Sequence, residues 1–376
     1  MAWGGAPSDP HQLQLMKEAG LNVAGFCTVQ EAEQVRAAGL SCFVSDRRAN
    51  GYDWQKMPPD DEIRKNLTAL AGEVRNNPSV LGFYLRDEPS ARLMPGLGHV
   101  ASLLRGVMPA AWSYVNILPV YGNRAYWGVD DYETYVRRFI ETVHPPFISY
   151  DNYALFGGEM RDPFFTNLEV VHRLALEARI PFWNCILADA HYDYMEPSDA
   201  TFNIQVYSTL AYGGRGIEYY TYFTGLGQNH RLGPIDQFGH RTETWDMLRR
   251  INLQIHALAP TLIHLRSTGV YYSPSVPFGC KPLSESRLVE GIDMAAPALR
   301  IAPPARFLEG EFVDDKGRPY LMVVNRDLQH SFRFHIRLKQ PGGKLIQVSA
   351  FTGKEEPFTG SDHWLAPGAG VLLRVE

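Results

Sequence analysis

The stretch with the most chemistry in it is Leu81–Ser90, LGFYLRDEPS, an apolar run that ends on two adjacent carboxylates, Asp87 and Glu88, just before Pro89. Side chains alternate along a strand, so a strand carrying Gly82, Tyr84, Arg86 and Glu88 on one face would present an acid at its last inward position. Pro89 has no N–H to give to a ladder, so pairing stops there and the backbone turns. In a barrel of parallel strands this C-terminal rim is where functional groups collect. The competing assignment for both acids is a helix cap or a solvated turn.

Two carboxyl groups in one cleft can break a glycosidic bond: one protonates the leaving oxygen, and the other attacks the anomeric carbon or activates water. Glu88 is the expected general acid. Asp87 beside it would hold a sugar hydroxyl or keep Glu88 protonated. Three residues compete for the second carboxyl. Asp151, in SYDNY, falls at the end of a strand and could share the cleft with Glu88, its alternative being an Asx-turn or an N-cap. Glu218, in GIEYYTYF, lies two layers below the rim if Tyr222 faces the pocket, and the alternative there is a buried acid paired with an arginine. Asp189 is the third. The same strand ends offer Trp3, Asp46, Asn116, Tyr150, Tyr153, Trp183 and Tyr222 as polar contacts and flat ring faces for a sugar, although each ring would serve equally well in a core.

These groups meet only if the chain folds into parallel strands with crossover helices. Up to about residue 260, short apolar runs alternate with stretches of helical period, the βαβα rhythm of a parallel sheet or barrel. Strands are expected at 2–4, 21–26, 40–46, 80–88, 112–118, 146–153, 180–188 and 216–223. Helices are read in PHQLQLMKEAG, TVQEAEQVRAAG and FTNLEVVHRLALEAR, the first two ending on glycines suited to a left-handed C′ position. Eight such units favour a closed (β/α)8 TIM barrel over residues 1–262. No G-x-G-x-x-G or G-x-x-x-x-G-K-[ST] follows any strand, which argues against nucleotide binding. Residues 263–376 lose the helical period and read as an antiparallel β-sandwich, with hairpin signals at Asp315, Lys316 and Gly317 and at Pro341, Gly342 and Gly343. The loops most able to wall the cleft are residues 47–79 and the DAHYDYMEPSD segment.

Composition narrows the partners. With 376 residues, 45% of them hydrophobic, and a net charge of −5, the chain can fill large cores but has no basic block to follow a phosphate backbone, so nucleic acid is not expected. No apolar segment reaches membrane-spanning length, and MAWGGAPSDP lacks the basic and apolar regions of a signal peptide. That leaves a cytoplasmic protein, or a secreted or periplasmic one whose signal segment is removed. Cys27, Cys42, Cys185 and Cys280 have no zinc-like spacing, and there is no H-x-H on an early strand, so neither metal nor cofactor is expected.

LGFYLRDEP resembles the strand-four "NEP" signature of clan A glycoside hydrolases, and LAYGGRGIEYYTYF resembles the last-strand segment of family 42 β-galactosidase-like barrels. HRTETWDMLRRINLQIHALAPTL with LRSTGVYYS is similar to the exit from such a barrel, and DDKGRPYLMVVNRDL with LAPGAGVLLRVE to the appended β-sandwich. The resemblance covers most of the chain. It implies a retaining (β/α)8 glycosidase acting on carbohydrate, with Glu88 at the acid/base position, Asp87 in place of the asparagine that contacts the sugar 2-hydroxyl, and Tyr222 where an aromatic lies under the sugar. It is also compatible with a homo-oligomer. The strand-seven segment IPFWNCILAD has no glutamate where the family keeps its nucleophile. That departure points to a nucleophile from another strand, to inversion with Asp151 or Asp189 as base, or to a barrel that binds glycans without cutting them.

Overall fold

The computed structural model describes residues 1–294, 305–358 and 363–376. In the first part of the chain β1 (Val23–Cys27), β2 (Ser41–Val44), β3 (Val80–Asp87), β4 (Trp112–Ile117) and β5 (Ile148–Asp151) are followed by a small antiparallel pair, β6 (Leu155–Phe156) and β7 (Glu159–Met160), then β8 (Phe182–Leu187) and β9 (Gly216–Tyr220). The main sheet runs β1-β2-β3-β4-β5-β8-β9. The segment Ala2–Gly5 supplies the eighth strand: Ala2 bridges to Tyr219 and Gly5 to Phe26, both parallel, which links β9 back to β1. The fold is the (β/α)8 barrel read from the sequence. Closure depends on Gly25, whose φ is 116° and where a Cβ would stand 2.5 Å from the Gly4 carbonyl oxygen.

The crossover helices form where the pattern asks for them. Pro10–Glu18 starts with Asp9 accepting from the His11 N–H and with Pro10 in the first turn. Asp60–Val74 opens on three acids that suit the positive end of its dipole, and buries Ile63, Leu67, Leu70, Ala71 and Val74 on one stripe. At the N-terminal end of the strands, the rings of Phe43, Trp112, Phe147 and Trp183 interlock, Phe147 and Trp183 stacking at 4.5 Å. They form the floor of the barrel.

The rest of the β structure comprises β10 (Arg266–Ser273), β11 (Lys281–Pro282), β12 (Val289–Met294), β13 (Phe307–Val313), β14 (Pro319–Asn325), β15 (Phe332–Leu338), β16 (Leu345–Val348), β17 (Glu355–Pro357), β18 (Trp364–Leu365) and β19 (Gly370–Val375). They make a sheet β11-β10-β13-β14-β19-β16-β17 and a smaller one, β12-β15-β18. One core lies between them, with Phe307, Leu321, Val323 and Leu373 from the large sheet and Val289, Phe332, Phe334 and Leu365 from the small one. The turn at Asp315–Gly317 does join a hairpin, β13 to β14. The turn at Pro341–Gly343 does not: it carries the chain from β15 in one sheet to β16 in the other, so its glycines turn the backbone without pairing its flanks.

By contacts the chain divides into two compact units, one of Met1–Asn152, Arg173–Cys185 and Gly216–Tyr222, the other of Tyr153–His172, Ile186–Arg215 and Phe223–Glu376. This division differs from a single cut at residue 262. The helix Asp199–Ala211 is buried at almost every position and packs on β13, β14 and β19, where Gly310 leaves room for the Ala211 carbonyl. Among the described residues no helix is long and apolar enough to cross a membrane.

Candidate active site

The end of β3 is shaped by one extra residue. Tyr84 pairs with Tyr114, but Arg86 pairs with Val115 and Asp87 with Asn116, so β3 bulges against β4 between Tyr84 and Arg86. A bulge shifts the alternation by one. Asp87, and not Arg86 or Glu88, therefore shares the inward face with Tyr84, which corrects the alternation expected from the sequence. Glu88 follows in a left-handed conformation, φ 43°, with its N–H donating to the Asn116 carbonyl at 2.8 Å. Neither acid caps a helix; the next helix, Met94–Val107, begins without a side-chain cap.

Asn116 is the hub of what lies beside them. Its amide donates to Asp151 Oδ1 at 2.8 Å and to Asp87 Oδ1 at 3.2 Å, while its carbonyl accepts from Ser149 Oγ at 2.9 Å. One layer deeper, Tyr114 Oη donates to the Glu218 carboxyl at 2.9 and 3.0 Å, and Ser149 Oγ stands 3.0 Å from Glu218 Oε2. A single hydroxyl hydrogen means that Ser149 serves Asn116 or Glu218 at any instant. The result is a hydrogen-bonded column from Glu218 in the barrel interior to the Asp87 and Asp151 carboxyls at the rim, with Glu88 next to Asp87 in the chain.

Burial and mutual repulsion hold protons on this column. Asp151 is buried and lies well above the usual carboxylate range, first because of that burial and then because of the charges of Glu88 and Asp87. Burial also raises Asp87, against the opposing Asn116 hydrogen bond. Glu88 is exposed as a residue, yet desolvation of its carboxyl and then the charge of Asp87 raise it too. Glu218, fully buried, is pushed up to about 7 by desolvation despite the hydroxyls of Tyr114 and Ser149. Coupled acids of this kind lose protons in steps that belong to the group as a whole.

A recess of about 490 Å3 opens at this rim, lined by Asn50, Tyr84, Leu85, Arg86, Asp87 and Glu88. Asn50, from the 47–79 loop, is fixed by donating to the Tyr84 carbonyl at 3.2 Å. Of the residues singled out in the sequence, Asp87, Glu88, Asn116 and Asp151 come together here, with Glu218 beneath. Its partners are hydroxyls and not the arginine considered as an alternative. Trp3 is half-buried, edge-on to Phe26 and Tyr220.

The structure places the others elsewhere. Asp46 caps the helix Arg47–Asn50 and is held by Arg48 at 2.9 Å, so its carboxylate is engaged. Tyr150 alternates with Ser149 and Asp151, faces away from the column toward Phe182, and is wholly buried, so it offers no ring face to a ligand. Trp183 sits in the floor, at the start of its strand and far along it from the rim. Tyr222 is buried at 1% exposure. Tyr153 belongs to the other compact unit, edge-on to His191 and Tyr194. Asp189 lies in that unit as well, between His191 and His230; among the described residues these three are the one group whose side chains could hold a metal ion. Tyr114 and Ser149 were missed from sequence, although each stands two residues before a chosen one and so shares its face.

No protein-family model matches the chain, and no curated protein matches its sequence. Solved structures share its fold. The β-galactosidase from Bacillus circulans sp. alkalophilus aligns with 100% of this chain and 98% of its own at a TM-score of 0.68 and 9% identity. A glycoside hydrolase family 5 protein from Bacteroides vulgatus aligns with 100% of this chain and 87% of its own, TM-score 0.55, 12% identity. The β-galactosidase from the psychrophilic Marinomonas ef1 aligns over 72% of this chain, TM-score 0.53, 10% identity, and this chain spans only 63% of its length. At such identities the likeness is one of fold.

Proposed function

We propose that the protein is a glycoside hydrolase acting on β-linked sugars or oligosaccharides, of the clan A type and similar to family 42. The observation that carries this reading is the pair Asp87 and Asp151 on the Asn116 amide at the C-terminal ends of β3, β4 and β5, with Glu88 beside them, its N–H on the Asn116 main-chain carbonyl. Glu88 is the acid/base, because it is the more exposed of the two raised carboxyls in the recess wall and has no hydrogen-bonded amide to hold it as Asp87 has. A proton retained by the cluster leaves through Glu88 to the glycosidic oxygen. As the bond from the anomeric carbon to that oxygen breaks, the carboxylate of Asp151 or Asp87 faces the cation that develops on the sugar ring and takes a proton from the water that attacks the anomeric carbon. Tyr84 supplies an apolar ring face in the recess, and Glu218 positions the amide above it through Ser149.

One feature favours a second reading, a carbohydrate-binding barrel without turnover: β8 carries no carboxylate, and Asp189 just beyond it is engaged by two imidazoles. Aryl β-glycosides and β-glucan and galactan oligosaccharides separate the two. Under the first reading sugar is released, and Glu88→Gln lowers the rate by about 10²–10⁴ while the protein stays folded. Release that persists in the variant would remove Glu88 from the mechanism; no release, with oligosaccharides still raising the melting temperature, would leave the binding reading.

A further inference from the structure

In the unit that holds Ile186–Arg215 and Phe223–Glu376, two loops run side by side and are clasped by backbone hydrogen bonds. Ala190 and Arg231 exchange bonds in both directions, at 3.0 and 2.8 Å, and the Tyr192 N–H donates to the Gln228 carbonyl at 3.0 Å. The residues flanking this antiparallel bridge are Asp189, His191 and His230. Asp189 Oδ1 is 3.2 Å from His191 Nδ1, and Oδ2 is 2.5 Å from His230 Nδ1. The two imidazoles lie nearly parallel, 17° apart with centroids at 4.6 Å. All three side chains are enclosed, with exposures of 0%, 5% and 7%.

We infer that Asp189, His191 and His230 form a binding site for one divalent first-row transition ion of the zinc type. Their donor atoms all lie within 4.8 Å of one another, so an ion equidistant from the three is within about 0.6–0.8 Å of the usual 2.0–2.2 Å zinc bonds to nitrogen and carboxylate oxygen. Two imidazoles and one carboxylate suit zinc and its transition-metal neighbours; magnesium and calcium prefer all-oxygen sites. Three protein ligands also leave coordination positions for water or a ligand hydroxyl.

The surroundings are built to hold the donors still. Gly225 gives the His230 ring its place, since a Cβ there would come within 2.9 Å of it. Tyr153 and Tyr194 pack against the His191 ring. Tyr192, Gln228, Asn229 and Leu232 all take left-handed conformations, and the backbone tolerates these at a cost of about 1 kcal/mol or more each only where neighbours impose them. A bound ion would cross-link the loop after β8 to the loop after β9, and its test reads metal uptake rather than glycoside turnover, so this inference does not depend on the proposed activity.

The test uses the intact chain after dialysis against a chelator, titrated with Co(II) as a visible probe and with Zn(II) by calorimetry in excess Mg(II). The expected result is one ion per chain, a Co(II) spectrum of nitrogen and oxygen ligands with no thiolate charge-transfer band, and a higher melting temperature. Asp189→Asn and His230→Ala should each weaken binding at least tenfold, while His240→Ala, at an exposed position, should leave it unchanged. No uptake by the wild-type chain would overturn the site, as would a thiolate band or binding that survives both variants. If the variants fail to fold, the wild-type stoichiometry and spectrum still decide.

Discussion

Replacing Glu218 by glutamine isolates a single buried acid whose effect on stability can be worked out in advance. The folded carboxyl titrates at about 7, against 4.5 for an unperturbed glutamate. Between those values the folded state keeps a proton that the unfolded chain has lost. Stability is therefore greatest below the unfolded value and falls as pH rises through the folded one. At about 1.4 kcal/mol per pH unit the loss reaches about 3 kcal/mol above neutrality. Glutamine does not ionise; its carbonyl can accept from Tyr114 and its amide can donate to Ser149, at a cost of about 1 kcal/mol for the changed hydrogen bonds. Urea unfolding followed by intrinsic fluorescence should show the variant slightly weaker than wild type near pH 4.5 and about 2 kcal/mol stronger near pH 8. An equal change at both pH values would refute the reasoning, because it would mean that Glu218 does not carry the linkage.

Asp151→Asn removes an acid that burial forces to stay protonated, so it should gain stability over wild type at alkaline pH and lose turnover on any glycoside the wild type cleaves. Full activity in that variant would exclude Asp151 as the second carboxyl. Asp46→Ala should lower stability by about 1–2 kcal/mol, through its N-cap and its partly screened contact with Arg48, with no change in substrate affinity; thermal melts and a binding titration check both halves. Trp183→Ala opens the aromatic floor and should cost about 3–5 kcal/mol in denaturant unfolding while leaving ligand affinity in the rim recess intact in the folded fraction.

The barrel was legible because its period is: eight apolar runs spaced by amphipathic stretches leave few other topologies. Glu218 lies fully buried in the barrel, but counting two residues at a time back from Tyr222 does not establish its depth, because β9 ends at Tyr220 and Tyr222 is itself buried. The same count failed on β3, because nothing in FYLRD distinguishes a regular strand from one with an extra residue, and that residue decides which of Arg86, Asp87 and Glu88 turns inward. Tyr150 and Trp183 were ring-bearing residues near promising ends, but face and height along a strand, not residue type, settle what a ring touches. His230 could not be joined to Asp189 and His191 from sequence, since the backbone clasp that unites them lies between loops with no motif of their own.

The segment Ala2–Gly5 fills the gap between β1 and β9, and its partner Tyr219 lies more than two hundred residues further along the chain. During synthesis at about 5–20 residues per second, that segment waits roughly 10–40 s for the strand that completes it. Through that interval the Ala2–Gly5 segment has one unmated edge, and the nascent chain carries the hazards of an open sheet. Chain elongation thus sets the earliest moment at which the ring can exist. An agent that binds the exposed edge of Ala2–Gly5 co-translationally would compete with closure, whereas the same agent added to finished protein would find no edge there to bind.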